Sequence, residues 1–257
     1  MKDFKEHFWM FYNKISNDEN FALLRFSDGE LRIMQNLKLV LDKDHYVIGN
    51  QKKSGFYSNE DLKYFDPNQH SFFHNHLMES YKFKHPKYFS SISCRCCVGE
   101  KDFLQMLEWY DGDTNSDNLT WANIWVNSNY PLFVKYVIPL LKKKEKKGII
   151  YVLNENGNIN NLPFKIKKDF RVGKNCIIND YDLIGKMKDW VVKNKIKNNI
   201  FLFSASSLSN VLQYELFKIE PENIYIDVGT CFNKHLNLDG RRGYLSGGSS
   251  LNKTCIW

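Results

Sequence analysis

From residue 148 onward, short apolar runs alternate with amphipathic stretches, and this rhythm limits the possible folds more than any other feature. Gly148–Leu153, Asn175–Ile178, Asn199–Phe203 and Asn223–Asp227 read as strands, and Tyr181–Lys193 and Ser207–Ile219 read as helices. One side of the first helix carries Leu183, Ile184, Met187, Trp190 and Val191. The second directs Leu208, Val211, Leu212, Leu216 and Ile219 inward. Near-continuous apolar strands separated by helices predict a parallel sheet covered on both faces. The expected class is therefore α/β, a Rossmann-like, mostly parallel sheet with helices on both faces. Ligands of such sheets bind beyond the carboxyl ends of the strands. Loops 27–30, 154–161, 204–207 and 227–235 are then expected on one rim.

The first half is less regular. Phe4, Phe8, Phe11, Tyr12 and Ile15 recur at helical spacing, which predicts a helix over 4–15 with one buried face. Phe21–Phe26 suits a buried strand, 27–30 a turn, and Leu31–Leu37 the start of a helix. Residues 45–59 read as loop, 68–82 as helix, Ile92–Val98 as strand and 100–110 as helix. A polar loop follows at 111–118, then a helix over 130–144 whose C-terminal lysines suit the helix dipole. No repeat or linker divides the chain, so one domain is expected across 1–257. Its segment 240–257 reads as a mobile basic tail able to close over an anionic ligand.

Composition narrows the class further. Aromatic residues make up 15 % of the 257 residues, enough ring surface for a sizeable core and too much for a disordered chain. Six Pro and 14 Gly exclude collagen-like sequence. No stretch approaches the roughly 20 apolar residues of a membrane span. Charges at Asp3, Lys5, Glu6 and Lys14 interrupt the N-terminus, unlike a signal peptide. A cytoplasmic location is expected. The net charge of +7 favours anionic ligands. No stripe of arginines interleaved with aromatics points to nucleic acid. The six cysteines do not form paired zinc spacings. Cys94, Cys96 and Cys97 are too crowded for a disulfide framework, and no fourth metal ligand is in view, so reduced, mostly buried thiols are expected.

Three loops carry chemistry. In Arg25-Phe-Ser-Asp-Gly-Glu30, a turn at Gly29 could aim Asp28 and Glu30 at one hard cation, which in turn could hold a diphosphate. Arg25 could reach a phosphate oxygen. The same residues equally suit an ordinary turn in which Glu30 stabilises the first turn of a helix. Ser204, Ala205, Ser206 and Ser207 join a strand to a helix. There the backbone N–H groups attract anions, and Ser is also a preferred N-cap. Asp227 ends the fourth strand, placed for catalysis, for a sugar hydroxyl or for capping the next loop. His235 could act near neutral pH or be a lone surface histidine. Trp121, Trp125 and Tyr130 could stack on sugar rings or fill the core.

Taken together, Ala22-Leu-Leu-Arg-Phe-Ser-Asp-Gly-Glu-Leu31, Phe201-Leu-Phe-Ser-Ala-Ser-Ser207 and Ile226-Asp-Val-Gly229 resemble, in order, the motifs of GT-D type glycosyltransferases. Ser27 stands where that family usually has Gly, and Ser206-Ser207 replace its Gly-Pro. The resemblance covers roughly 20–235. It implies a nucleoside-diphosphate sugar donor, typically a uridine diphosphate sugar, a glycan or glycoconjugate acceptor, and a divalent ion such as Mn2+ or Mg2+. Asp28 and Glu30 carry over as the metal site, Glu30 counting with Asp227 among the catalytic groups. Arg25, Gln51, Ser204, Ser206 and Ser207 are then the expected donor-binding residues.

Overall fold

A computed structural model describes residues 2–54, 62–239 and 242–257. Helix α1 (Phe4–Ser16) starts where Asp3 accepts hydrogen bonds from the backbone N–H groups of Lys5 and Glu6, and it buries Phe4, Phe8, Phe11 and Ile15. This is the expected apolar stripe. Strand β1 (Phe21–Phe26) is buried except at Arg25. Helix α2 (Asp28–Met34) begins earlier than expected, because Ser27 and Glu30 form a capping box that turns the presumed turn into the first helical turn.

Next come four short strands, β2 (Leu39–Leu41), β3 (His45–Ile48), β4 (Gln51–Ser54) and β5 (Lys63–Phe65). They form a separate antiparallel sheet in the order β4-β3-β2-β5. This corrects the loop expected over 45–59, of which 55–59 lie outside the described residues. Gly49, at a φ of +58°, turns the β3–β4 hairpin. All four residues of β4 are exposed and all four of β3 half-buried, so neither strand shows an apolar alternation.

Helix α3 (Ser71–Lys82) leads into strand β6 (Tyr88–Ile92). The strand expected over 92–98 thus ends where it was to begin, and residues 95–98 form the short helix α4 (Arg95–Val98). Buried Ser90 and Ser91 belong to the strand because their hydroxyls donate to the backbone oxygens of Tyr81 and Leu24. After α5 (Glu100–Tyr110) and β7 (Leu119–Trp121), the chain from 130 to 144 runs as α6 (Tyr130–Leu132), a π turn (Phe133–Val137) and α7 (Ile138–Lys144).

In the second half, β8 (Ile149–Asn154), β10 (Ile200–Phe203) and β11 (Ile224–Asp227) are the expected strands, and α9 (Leu183–Lys193) and α10 (Leu208–Ile219) the expected helices. One expected strand is displaced. Residues 176–179 form helix α8 (Cys176–Asn179), and the strand there is β9 (Lys168–Val172). Asn175 is left-handed at φ +51°, and its side chain accepts from Tyr64 N at 2.9 Å, so it breaks the run and anchors β5 instead.

The main sheet has seven strands in the order β7-β6-β1-β11-β10-β8-β9, every pairing parallel. With its flanking helices the architecture is Rossmann-like α/β. Among the described residues no helix is long and apolar enough to cross a membrane. Trp121, Trp125 and Tyr130 are core residues: Trp121 packs on Phe4, Trp125 on Phe8 and Phe133, and Tyr130 on Tyr244.

Phe11 ties α1 to this sheet through ring contacts with Phe21 at 5.6 Å and Phe89 at 5.1 Å. Phe11→Ala is expected to lower the urea-unfolding free energy by about 3–5 kcal/mol, the usual cost of emptying a buried aromatic site.

Candidate functional site

The carboxyl ends of β1, β8, β10 and β11 open onto one cleft of about 790 Å3. The parallel register puts these ends side by side, and Phe203 on β10 pairs with Asp227 on β11. Arg25, Asp28, Glu30, Ser204, Ser206 and Asp227 all line the cleft. Ser207 and Gln51 do not. Ser207 lies behind the wall. Gln51 is exposed on β4, beside a smaller depression shared with Tyr46 and Arg32. His235 is not part of the cleft lining either.

Asp227 is 5 % exposed, and its Oδ1 accepts from Gly229 N at 2.8 Å. Arg25 Nη1 lies 3.6 Å from the same oxygen, and Arg25 Nε donates to Ala122 O at 2.6 Å. Burial pushes the Asp227 carboxyl up to about 7, with Arg25 opposing the shift and Glu30 adding to it. A group held there can accept a proton near neutral pH. Gly229 makes the arrangement possible. Its φ is +49°, and a side chain on it would overlap Arg25 Nη1.

Glu30 is turned inward. Its Oε2 accepts from Ser27 N at 3.0 Å and Ser27 Oγ at 2.8 Å, and its Oε1 from Ser207 Oγ at 2.6 Å. Burial would raise its pKa. The Lys63 ammonium and the bonds from Ser207 and Ser27 outweigh burial and hold the carboxyl below its usual range. Lys63 Nζ also donates to Ser207 Oγ at 3.2 Å. No sequence signal marked Lys63, because it enters on a strand of the small sheet that the apolar pattern does not reveal.

A divalent ion shared by Asp28 and Glu30 does not fit these residues as placed. The two stand two positions apart on a helix, about 200° around its axis. Asp28 is exposed while both oxygens of Glu30 are engaged from within. The positive charge beside Glu30 is Lys63. Cationic side chains on the cleft lining are instead those of Arg25, Arg32, Lys63 and Arg242.

Ser204 braces the wall. Its hydroxyl donates to Gly229 O at 2.6 Å and lies 2.8 Å from the Tyr151 hydroxyl. Ser206 is exposed and left-handed at φ +51°, two residues before α10. The cleft is therefore lined here by Ser204, Ala205 and Ser206, while Ser207 and the first turn of α10 are buried behind them.

Comparison with protein-family models, with curated proteins and with solved structures returns no match. Chemically, the cleft can hold an anion and accept one proton.

Two outcomes follow. Gly229→Ala should cost about 1–3 kcal/mol, from the left-handed backbone and the displaced Arg25, read by chemical denaturation. For Asp227, a folded pKa near 7 against an ordinary 3.8 means that the folded state binds the extra proton between those values. Its stabilisation is present below 3.8 and lost as pH rises to about 7. Wild type should therefore lose stability more steeply than Asp227→Asn over that window in denaturation at stepped pH.

Proposed function

We propose that the chain is a glycosyltransferase that moves a sugar from a nucleoside-diphosphate sugar to a hydroxyl of a glycan or glycoconjugate. The observation that carries this reading is Asp227, a buried carboxyl poised near 7 at the carboxyl edge of a parallel sheet, on a cleft whose lining includes Arg25, Arg32, Lys63 and Arg242. The resemblance of residues 22–31, 201–207 and 226–229 to GT-D type glycosyltransferases points the same way, and favours uridine diphosphate as the carrier.

In this reading the diphosphate lies against the Ser204–Ser206 segment that precedes α10, on the lining shared with Lys63 and Arg242. Asp227 takes the proton of the acceptor hydroxyl as that oxygen bonds to the anomeric carbon. The bond from that carbon to the diphosphate breaks, and its electron pair leaves with the phosphate. The cations offset the charge that develops there. Glu30 acts as a positioning residue that holds Ser27, Ser207 and Lys63 in register. Ser204 and Ser206 shape the wall the donor meets.

The first test is thermal unfolding with a panel of nucleoside diphosphates and their sugars, with and without manganese. A ligand at a hundredfold excess over its dissociation constant stabilises by about 2.7 kcal/mol. A shift selective for one nucleotide supports a donor site. An equal shift with every phosphate, steeply salt-dependent, would replace the reading with a general anion-binding surface. Donor consumed as fast without acceptor as with it would indicate a phosphohydrolase.

Removing the base gives the sharper prediction. Asp227→Asn should lower kcat by about 100- to 10,000-fold, the usual contribution of a general base, while donor binding persists. Wild-type kcat/KM should rise with pH and level off above about 7, where Asp227 is ionised.

A further inference from the structure

Away from the cleft, four cysteine sulfurs meet. Cys94 ends the segment after β6, Cys96 and Cys97 lie in α4, and Cys255 arrives from the C-terminal tail. All four sulfurs lie within 4.8 Å of one another, and the Cys94 and Cys96 sulfurs are 3.0 Å apart. The fourth ligand that the Cys-Arg-Cys-Cys run lacks in sequence is thus supplied by the fold. We propose that Cys94, Cys96, Cys97 and Cys255 form a closed four-thiolate site for one zinc ion, which fastens the C-terminal tail to the edge of the main sheet.

Geometry and chemistry agree on this. A tetrahedral zinc with Zn–S bonds of about 2.3 Å separates its sulfurs by about 3.8 Å, so the cluster closes around an ion with small side-chain adjustments. Four sulfur donors select zinc over hard cations, and a shell with no open position is structural, not catalytic. Neighbouring groups suit a negatively charged thiolate cluster. Asn123 Nδ2 donates to Cys97 Sγ at 3.2 Å and to Cys255 Sγ at 3.6 Å, and Asn127 Nδ2 donates to Cys255 Sγ at 3.6 Å. Lys253 Nζ donates to Cys96 O at 2.9 Å, bringing its charge alongside. Such outer partners tune thiolate metal sites. Loading the site from four neutral thiols binds one Zn2+ and releases four protons.

The tail this ion would hold is already seated. Trp257 packs on Trp121 at 4.3 Å and Phe103 at 5.5 Å, and its Nε1 donates to Thr114 O. Ser128 N donates to Lys253 O at 3.2 Å. Asn123 and Asn127, the donors to sulfur, also line the cleft, as do Arg242, Tyr244 and Ser250 of the tail. The ion would therefore fix one wall of the cleft without entering it.

The test uses the full chain purified under reducing conditions. Elemental analysis should find one zinc per chain, and cobalt substitution should give the visible absorption of tetrahedral cobalt thiolate. Cys96→Ser and Cys97→Ser alter exposed side chains, so they leave the core intact, and each should lose the bound metal. Cys176→Ser, at a cysteine outside the cluster, should keep it. Asn123→Ala should weaken zinc affinity by about 10- to 100-fold. Stripping zinc from wild type with a chelator should lower the unfolding temperature, and re-adding zinc should restore it. Failure of the reduced, folded chain to take up zinc or cobalt would overturn the proposal. So would a thiol count and mass showing these cysteines joined as disulfides in the freshly purified protein.

Discussion

Arg25 carries a charge at the carboxyl edge of a parallel sheet, its side chain only 15 % exposed, and a charge so placed persists only when paired. Its guanidinium is met by the Asp227 carboxylate and the Ala122 carbonyl, and its backbone oxygen accepts from Asn210 at 3.0 Å. These partners come from β11, from the segment after β7 and from α10. One residue thus ties the end of β1 to β11, to the segment after β7 and to α10. Gly229 leaves the space that Arg25 fills, and Ser204 closes on Gly229 from the next strand. If the pair were broken, the cleft would lose both its floor and the environment that holds Asp227 near neutrality.

The second half of the fold was legible because its strands are buried on both faces. Residues 200–203 and 224–227 are uniformly apolar up to their last positions, and the helices between them carry clean stripes. Edge and accessory strands escaped for the opposite reason. Strand β9, Lys-Asp-Phe-Arg-Val, lies at the sheet edge with mixed exposure, and its charges mask it. The apolar triplet Cys176–Ile178 looked more like a strand, but the left-handed Asn175 before it turns the chain into a helix. In the small sheet the strands are only three or four residues long, and only β4 is fully exposed, so each segment is too short for hydrophobic periodicity to give a signal.

Much of the candidate site was also readable. Arg25, Asp28, Glu30, Ser204, Ser206 and Asp227 were identified from loops at strand ends, and the fold brings them to one cleft. Their roles were less visible. Whether Glu30 faces a cation or its own helix cap depends on which φ and ψ angles Ser27 and Asp28 adopt, and the motif is compatible with both. Lys63 and Cys255 were hidden by distance along the chain. Each reaches its partners only through tertiary structure, Lys63 by way of the small sheet and Cys255 by way of the returning tail.

The position of Asp227 also bears on how the cleft exchanges protons with solvent. A carboxyl balanced near neutrality is only partly protonated in the free protein, and its balance depends on the charges around it. An anion entering beside Arg25 would compete for that guanidinium and favour the protonated carboxyl. Association would then draw a proton from the medium, and the heat of binding would contain the ionisation enthalpy of whatever buffer surrendered it. Occupancy of the cleft and proton uptake are in that sense one coupled equilibrium, set by a single carboxyl at the end of a strand.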